Sequence, residues 1–383
     1  MKKKQARRET AGSESGGLAA SLLDWRVVAL VLGVKALVLL FGVQAFMVEQ
    51  NQPASGWLEI WNRWDAPHYL DIARDGYVRE GVQSRWIVFY PLYPWLVRAA
   101  AFVFGDYLFA AFFVSGVASV AAALLLYRLA AIDEDRGAAL AAVFLMLVFP
   151  TAYFLHVGYT ESTFMALTLG SFLAARRRVW WAAGLLGAFA CMTRINGLAL
   201  VPALALEAFD ERRETGARWR KEWLWVAFAV AGFAVYLLIN WQVFGRPFEF
   251  MSMQKQYWQK SLTWPWVSVS SAWNRTWTAQ PADAVMVGWQ EFLFLAVGLA
   301  GTVWAAFRAR ASYAVWMALN WLLWASTKFA LSVPRYTLVM FPLYILLARA
   351  SVRRPAWGAG VVVWSLLFMA LFASRFVRGQ WAF

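Results

Sequence analysis

Cysteine is almost absent from this chain of 383 residues: Cys191 stands alone. A single thiol excludes an internal disulfide and a multi-thiolate metal site. Charge is scarce too, at 15% Asp, Glu, Lys and Arg against about 25% in an ordinary soluble domain. No nucleotide-binding motif is present, and no internal repeat. What fills the space is apolar: 61% hydrophobic residues and 17% aromatic ones. A soluble core of this length cannot absorb that much apolar surface, whereas a bilayer lets such side chains face outward as well as inward. The composition therefore predicts an all-α polytopic membrane protein.

The net charge of +14 does not point to nucleic acid. The basic residues form short runs between apolar stretches rather than one solvated phosphate-binding face. Spans of about 20 apolar residues are expected over 27–47, 107–129, 137–155, 162–175, 180–192, 197–209, 223–243, 284–307, 313–331, 336–347 and 357–374, several of them short. The first is too long for a signal-peptide core and lacks a cleavage site, so it is expected to be retained. Residues 1–25 are then a basic cytoplasmic tail and residues 26–383 one transmembrane domain.

With that tail inside, the connections at 133–136, 176–178, 210–222, 308–310 and 349–354 also fall inside. All but the first carry an excess of Arg and Lys, as the positive-inside rule expects. Arg375 and Arg378 fall outside and run against it. The same parity places 48–106, 156–161, 193–196, 244–283 and 332–335 outside, at the extracytoplasmic face of a cell membrane. The segment 86–104 is apolar enough to span, but Pro91 and Pro94 disrupt its start and Arg98 its middle. It is expected to lie along the outer interface, with Trp86, Tyr90, Tyr93 and Trp95 at headgroup depth.

The outer segments hold the polar motifs. In the first loop, Asp65 and Pro67 announce a short helix that ends at Gly76, with Tyr69, Ile72 and Ala73 on one face. Asp65 has two readings: a plain helix cap, or a general base made reactive by desolvation beside Trp61 and Trp64. His68 is a hydrogen-bonding group in that site. Together with Asp65 and Asp71 it makes only a weak metal signal, so no metal is expected. Arg194 and Asn196 interrupt two apolar helices, and a charge at such depth is expensive unless paired or facing a wet cavity. Arg194 is thus a site candidate or a structural partner of Glu161 or Asp65. Lys35 and Glu291 are equally deep and belong to no legible motif.

The run Trp64-Asp65-Ala66-Pro67-His68-Tyr69, then Ile72-Ala73-Arg74-Asp75-Gly76-Tyr77 and Phe89-Tyr90-Pro91-Leu92-Tyr93-Pro94, resembles the PIG-V family, mannosyltransferases related to GPI mannosyltransferase 2. Gly158-Tyr159-Thr160-Glu161-Ser162 and Thr193-Arg194-Ile195-Asn196-Gly197 follow in the family's order. These motifs cover roughly the first half of the chain; the second half matches by its span pattern and by Pro334-Arg335-Tyr336. The resemblance implies a GT-C type domain of about 11 transmembrane helices, a polyprenyl- or dolichyl-phosphate sugar donor, inverting transfer, and Asp65 as catalytic base. A glycolipid or glycan acceptor follows, with no cofactor required. Short loops and compact length suit a bacterial member.

The matching motifs supply Trp64, His68, Tyr69, Tyr90, Tyr159, Glu161, Arg194 and Asn196 as expected substrate contacts. Near the last outer turn, Lys328, Arg335 and Tyr336 complete the set. A guanidinium can hold two oxygens of a leaving phosphate, which makes Arg335 the first choice for that role, against plain interfacial snorkelling. Glu161, at a helix start, is either a dipole stabiliser or a contact to a substrate hydroxyl. The tryptophans of 244–283 suit an aromatic belt. A transporter or flippase of polyprenyl-linked glycans is the alternative, but it predicts paired repeats. A scaffold within an envelope-assembly complex predicts a dispensable Asp65.

Overall fold

The structure, a computed structural model, describes residues 24–51, 56–216 and 218–383. Residues 1–23 of the expected basic tail and residues 52–55 of the first loop lie outside them. Among the described residues the regular secondary structure is helical, apart from one antiparallel bridge between Leu262 and Thr327.

In chain order the helices are α1 (Trp25–Gln50), α2 (Ala66–Asp75), α3 (Leu92–Phe104), α4 (Tyr107–Ala130), α5 (Arg136–Leu147), α6 (Glu161–Arg176), α7 (Trp180–Cys191) and α8 (Leu200–Thr215). Then come α9 (Lys221–Phe244), α10 (Glu249–Tyr257), α11 (Pro265–Thr278), α12 (Ala284–Arg308), α13 (Ala311–Ala325), α14 (Val333–Thr337), α15 (Pro342–Arg353) and α16 (Pro355–Val377). Helices α1, α4, α9, α12 and α16 are long and apolar enough to cross a membrane. Each of the 11 expected spans contains a helix, but six of those helices are shorter. At about 1.5 Å per residue, the 12 to 16 residues of α5, α6, α7, α8, α13 and α15 fall short of a hydrocarbon core of about 30 Å.

Irregular backbone makes up the difference. Beyond α5 the chain turns through a 3-10 segment, Ala152–Leu155; α8 is preceded by another, Ile195–Ala199; and α13 gives way to a turn before α14. Non-helical backbone at membrane depth persists only where protein or a wet cavity satisfies its polar groups. These three breaks lie together, and they carry the motif residues.

The segment 86–104 is not a straight helix. Its two parts, Val82–Val88 and α3, meet at 115°, with Pro91 at the bend. Arg98 donates from Nε to the carbonyl of Ala73 at 2.5 Å and from Nη2 to that of Arg74 at 3.0 Å. It thereby closes the C-terminal end of α2 and fixes α3 against it. Small residues let other helices approach: a methyl at Gly232 would lie 1.8 Å from the Ala188 carbonyl oxygen of α7. Such backbone proximity is the main source of helix association in lipid.

Ion pairs bind one end of the bundle. Arg176 meets Asp133 at 2.7 Å, Arg310 meets Glu207 at 3.1 Å and Asp210 at 2.9 Å, Arg220 meets Glu211 at 2.6 Å, and Arg349 pairs with Glu134. The five connections grouped by parity are therefore grouped in space. The C-terminal Trp381 packs edge-on to Trp64 with ring centroids 5.1 Å apart, so the end of α16 joins the first loop at the other end.

Candidate active site

Asp65 is held by backbone geometry. Trp64, immediately before it, has φ +56°, a left-handed conformation that costs a bulky residue free energy and survives only where its surroundings enforce it. Tyr159 does part of the enforcing: its hydroxyl donates to the Arg63 carbonyl at 2.7 Å and accepts from the Asp65 amide at 3.2 Å. The turn delivers Asp65 to the N-terminal flank of α2, yet its carboxylate makes no capping bond to the helix. The cap reading is thus corrected: the carboxylate turns away, and its Oδ2 accepts from Arg335 Nη1 at 2.6 Å.

That contact opens a chain of four charges. Arg335 Nε donates to Glu161 Oε1 at 2.5 Å, and Arg194 Nη1 binds the same oxygen and also Thr160 Oγ1 at 2.9 Å. The Arg335 guanidinium lies against two rings, 4.8 Å from the Phe154 centroid and 4.6 Å from that of Tyr159. Burial is graded: Glu161 is fully enclosed, the Arg335 side chain is 6% exposed, and that of Asp65 is 29% exposed. The Arg194 side chain is 13% exposed, so Asp65 is the most open member of the four. Its Oδ1 accepts no hydrogen bond from the described residues, and neither does Arg335 donate one from Nη2.

Arg335 is aimed by the short helix α14. Ser332, at φ +68°, turns the chain into it. The buried carboxyl of Glu291 accepts from the Ser332 amide at 2.6 Å and the Val333 amide at 2.8 Å, while Thr151 donates to the Pro334 carbonyl at 2.9 Å. Glu291, legible in the sequence only as a misplaced charge, fills the N-terminal donors of this turn.

The other expected contacts divide. Tyr69 packs edge-on to Tyr93 and Tyr159 at 5.4 and 6.0 Å, in a buried wall beside Asp65; burial pushes its hydroxyl well above the ordinary range. His68 stacks on Trp86 at 3.6 Å, and its Nδ1 has no partner. Burial lowers its pKa, and Asp65 and Asp71 oppose that only in part. Tyr336 lies between two cations, with Arg194 Cζ 5.6 Å and Lys260 Nζ 5.4 Å from its ring centre.

Four residues stand apart from the quartet. Asn196 donates to Asn320 at 2.7 Å and ties the 3-10 turn to α13. Tyr90 stacks on Tyr236 at 3.9 Å in a separate cluster with Phe250. Lys328 is exposed, and among the described residues its backbone amide donates to Ser261 O at 3.0 Å while its side chain makes no hydrogen bond or ion pair. Trp61 is fully buried against Phe376, under Gly42, instead of beside the Asp65 carboxylate. Among the described residues no three of His, Cys, Asp and Glu converge to hold a metal ion.

Residues 90–241 match the family of dolichyl-phosphate-mannose-protein mannosyltransferases. The rat GPI alpha-1,6-mannosyltransferase 2 is 32% identical over 151 residues, 37% of this chain and 30% of that protein. The mouse protein of the same name is 32% identical over 159 residues, 39% and 31% of the respective chains. The match thus spans about a third of those relatives. Among solved structures, ArnT from Cupriavidus metallidurans, bound to undecaprenyl phosphate, superposes with a TM-score of 0.50 at 16% identity, over 89% of this chain and 63% of that one. Over these stretches the ordered first-half motifs are similar to mannosyltransferases of that family, and the helical architecture shares the fold of the ArnT structure.

Proposed function

We propose that the protein is an inverting mannosyltransferase, taking its sugar from a polyprenyl-phosphate carrier at the extracytoplasmic face and delivering it to a hydroxyl of a glycolipid or glycan. One observation carries this reading: a partly exposed carboxylate, Asp65, is locked by Arg335 into a buried ionic frame and keeps one oxygen free. Two of the relatives act, by name, in mannosyl transfer, and the ArnT structure holds a polyprenyl phosphate.

The chemistry follows from that geometry. The acceptor hydroxyl attacks the anomeric carbon on the face opposite the phosphate, and its proton passes to Asp65 Oδ1 as the new C–O bond forms. The bond from anomeric carbon to phosphate oxygen breaks, and its electron pair stays on the phosphate. Displacement from the opposite face inverts the configuration. Arg335 fixes the carboxylate through Nη1, and its Nη2 remains to meet negative charge as it develops on the leaving group. The end of the bundle that carries Asp65 faces out, and the arginine-rich end faces the cytoplasm.

The test is transfer from polyprenyl-phosphate-mannose in reconstituted vesicles. Asp65→Asn keeps the size of the side chain and removes the base. Turnover is expected to fall by about 100- to 10,000-fold with carrier binding retained; an active Asp65→Asn protein would remove Asp65 from the reaction.

A further inference from the structure

The ionic frame has no charge to spare. It pairs two carboxyl groups, Asp65 and Glu161, with two guanidinium groups, Arg194 and Arg335, so the set is neutral. A lipid phosphodiester brings one negative charge to it, and cleavage leaves a phosphate monoester with more. Uncompensated charge at a desolvated site is costly. A further cation is required beside Arg335, and it must have no carboxylate of its own.

Lys260 meets that description. It sits between α10 and α11, half-buried, with Nζ 3.4 Å from the hydroxyl of Tyr336, the residue that follows Arg335. Among the described residues it makes no ion pair. The nearby Glu291 is occupied by the Ser332 and Val333 amides.

Lys260 is also held in place. Its amide bonds to the Gln254 carbonyl at 3.2 Å. Just beyond it, Thr263 N reaches Ser326 O at 3.0 Å, and Lys328 N reaches Ser261 O at 3.0 Å. These bonds frame the Leu262 and Thr327 bridge, which staples the loop to the turn leading into α14. Among the described residues Lys328, at the same corner, makes no side-chain hydrogen bond or ion pair.

The surface next to this lysine is apolar and open. Leu262 is 73% exposed, and Trp264 and Trp266, stacked at 5.0 Å, are 67% and 62% exposed. In a membrane protein such a face meets lipid chains, so an anion seated at Lys260 has hydrocarbon beside it.

We propose that Lys260 and the Tyr336 hydroxyl form the seat of the carrier phosphate, Lys260 supplying the counter-charge that the neutral frame lacks. This rests on the transferase reading and extends it to a residue outside every motif. As the bond from anomeric carbon to phosphate oxygen breaks, the ammonium balances the electron pair left on that oxygen.

The experiment uses the full-length protein in nanodiscs, with undecaprenyl phosphate and inorganic phosphate as separate probes, and transfer measured in parallel. Lys260→Ala should weaken undecaprenyl phosphate binding by about tenfold to a hundredfold, the loss of one charge-assisted hydrogen bond. KM for the carrier should rise in step while kcat changes less, and Lys260→Arg should restore most of the affinity. Unchanged binding in Lys260→Ala, with normal unfolding temperature, overturns the seat alone. Inorganic phosphate binding as tightly as the lipid phosphate overturns the lipid assignment. Lys260-dependent binding by a wild-type protein that transfers no sugar from the carrier overturns the transferase reading and leaves the seat standing.

Discussion

At the scale of single residues, Glu161 is the member of the frame whose loss costs most. It lies fully buried between two guanidinium groups, one of which bonds it at 2.5 Å from Arg335. Glu161→Gln leaves those cations without their shared counter-charge, and removal of one partner of a buried pair costs about 3–5 kcal/mol. Chemical denaturation in detergent should register that loss, and Glu161→Gln with Arg194→Met should recover part of it. A double variant no more stable than the single one would show that Arg194 does not depend on Glu161. His68 gives a pH signature. Its folded pKa lies below the ordinary 6.5 because burial disfavours the imidazolium, so the unfolded chain takes up its proton first. Stability should therefore fall as pH drops below about 6.5 and be flat, as far as His68 is concerned, above it. Unfolding temperatures measured across that range should lose this slope in His68→Phe; a slope unchanged in the variant would place its origin elsewhere.

At the scale of elements, the turn of α14 shows what the sequence reveals and what it hides. Asp65 and Arg335 are legible because each stands beside proline or aromatic residues, and Arg194 because it interrupts two apolar helices, a context where charge demands a reason. Their mutual contacts are not legible: 270 residues separate Asp65 from Arg335, and only the convergence of three helix breaks brings them together. Glu291 is visible as a charge in an apolar span but not as the acceptor of two amides, because its partners are backbone groups. Lys260 carries no signal in a loop whose tryptophans dominate it. The short spans, too, have helices where apolar length predicts them, but length alone cannot say that irregular backbone completes them. Glu291 has a direct test. Glu291→Ala orphans two buried amide donors, and with about 1–3 kcal/mol for each it should destabilise the protein and loosen Arg335, lowering kcat at a nearly constant pH profile. Glu291→Gln keeps an acceptor oxygen and should lose less in both stability and rate. Equal losses in the two variants would mean that the amides are not what Glu291 holds.

At the scale of the molecule, the two ends of the bundle differ in how they spend their charge. The end built from residues 133–136, 176–178, 210–222, 308–310 and 349–354 is knitted by ion pairs between neighbouring connections, several of them partly exposed, such as Arg178 with Glu214 at 3.0 Å. Exposed pairs of that kind contribute little stability each, about 0–1 kcal/mol, but they align helices whose apolar surfaces alone leave register open. The other end encloses its ionic frame in aromatic rings and opens it most at Asp65. Such a division suits a protein in which one end meets the cytoplasm and the other the carrier lipid, and the orientation is testable without any activity assay. The native thiol, Cys191, is buried, so introduced cysteines label against a quiet background. Glu80→Cys, on the exposed stretch after α2, should react with an impermeant maleimide added to intact cells. Glu214→Cys, whose parent side chain is 58% exposed at the arginine-rich end, should react only after the membrane is opened. The reverse pattern would turn the bundle over and place Asp65 on the cytoplasmic side, where a carrier sugar displayed on the outer leaflet cannot reach it.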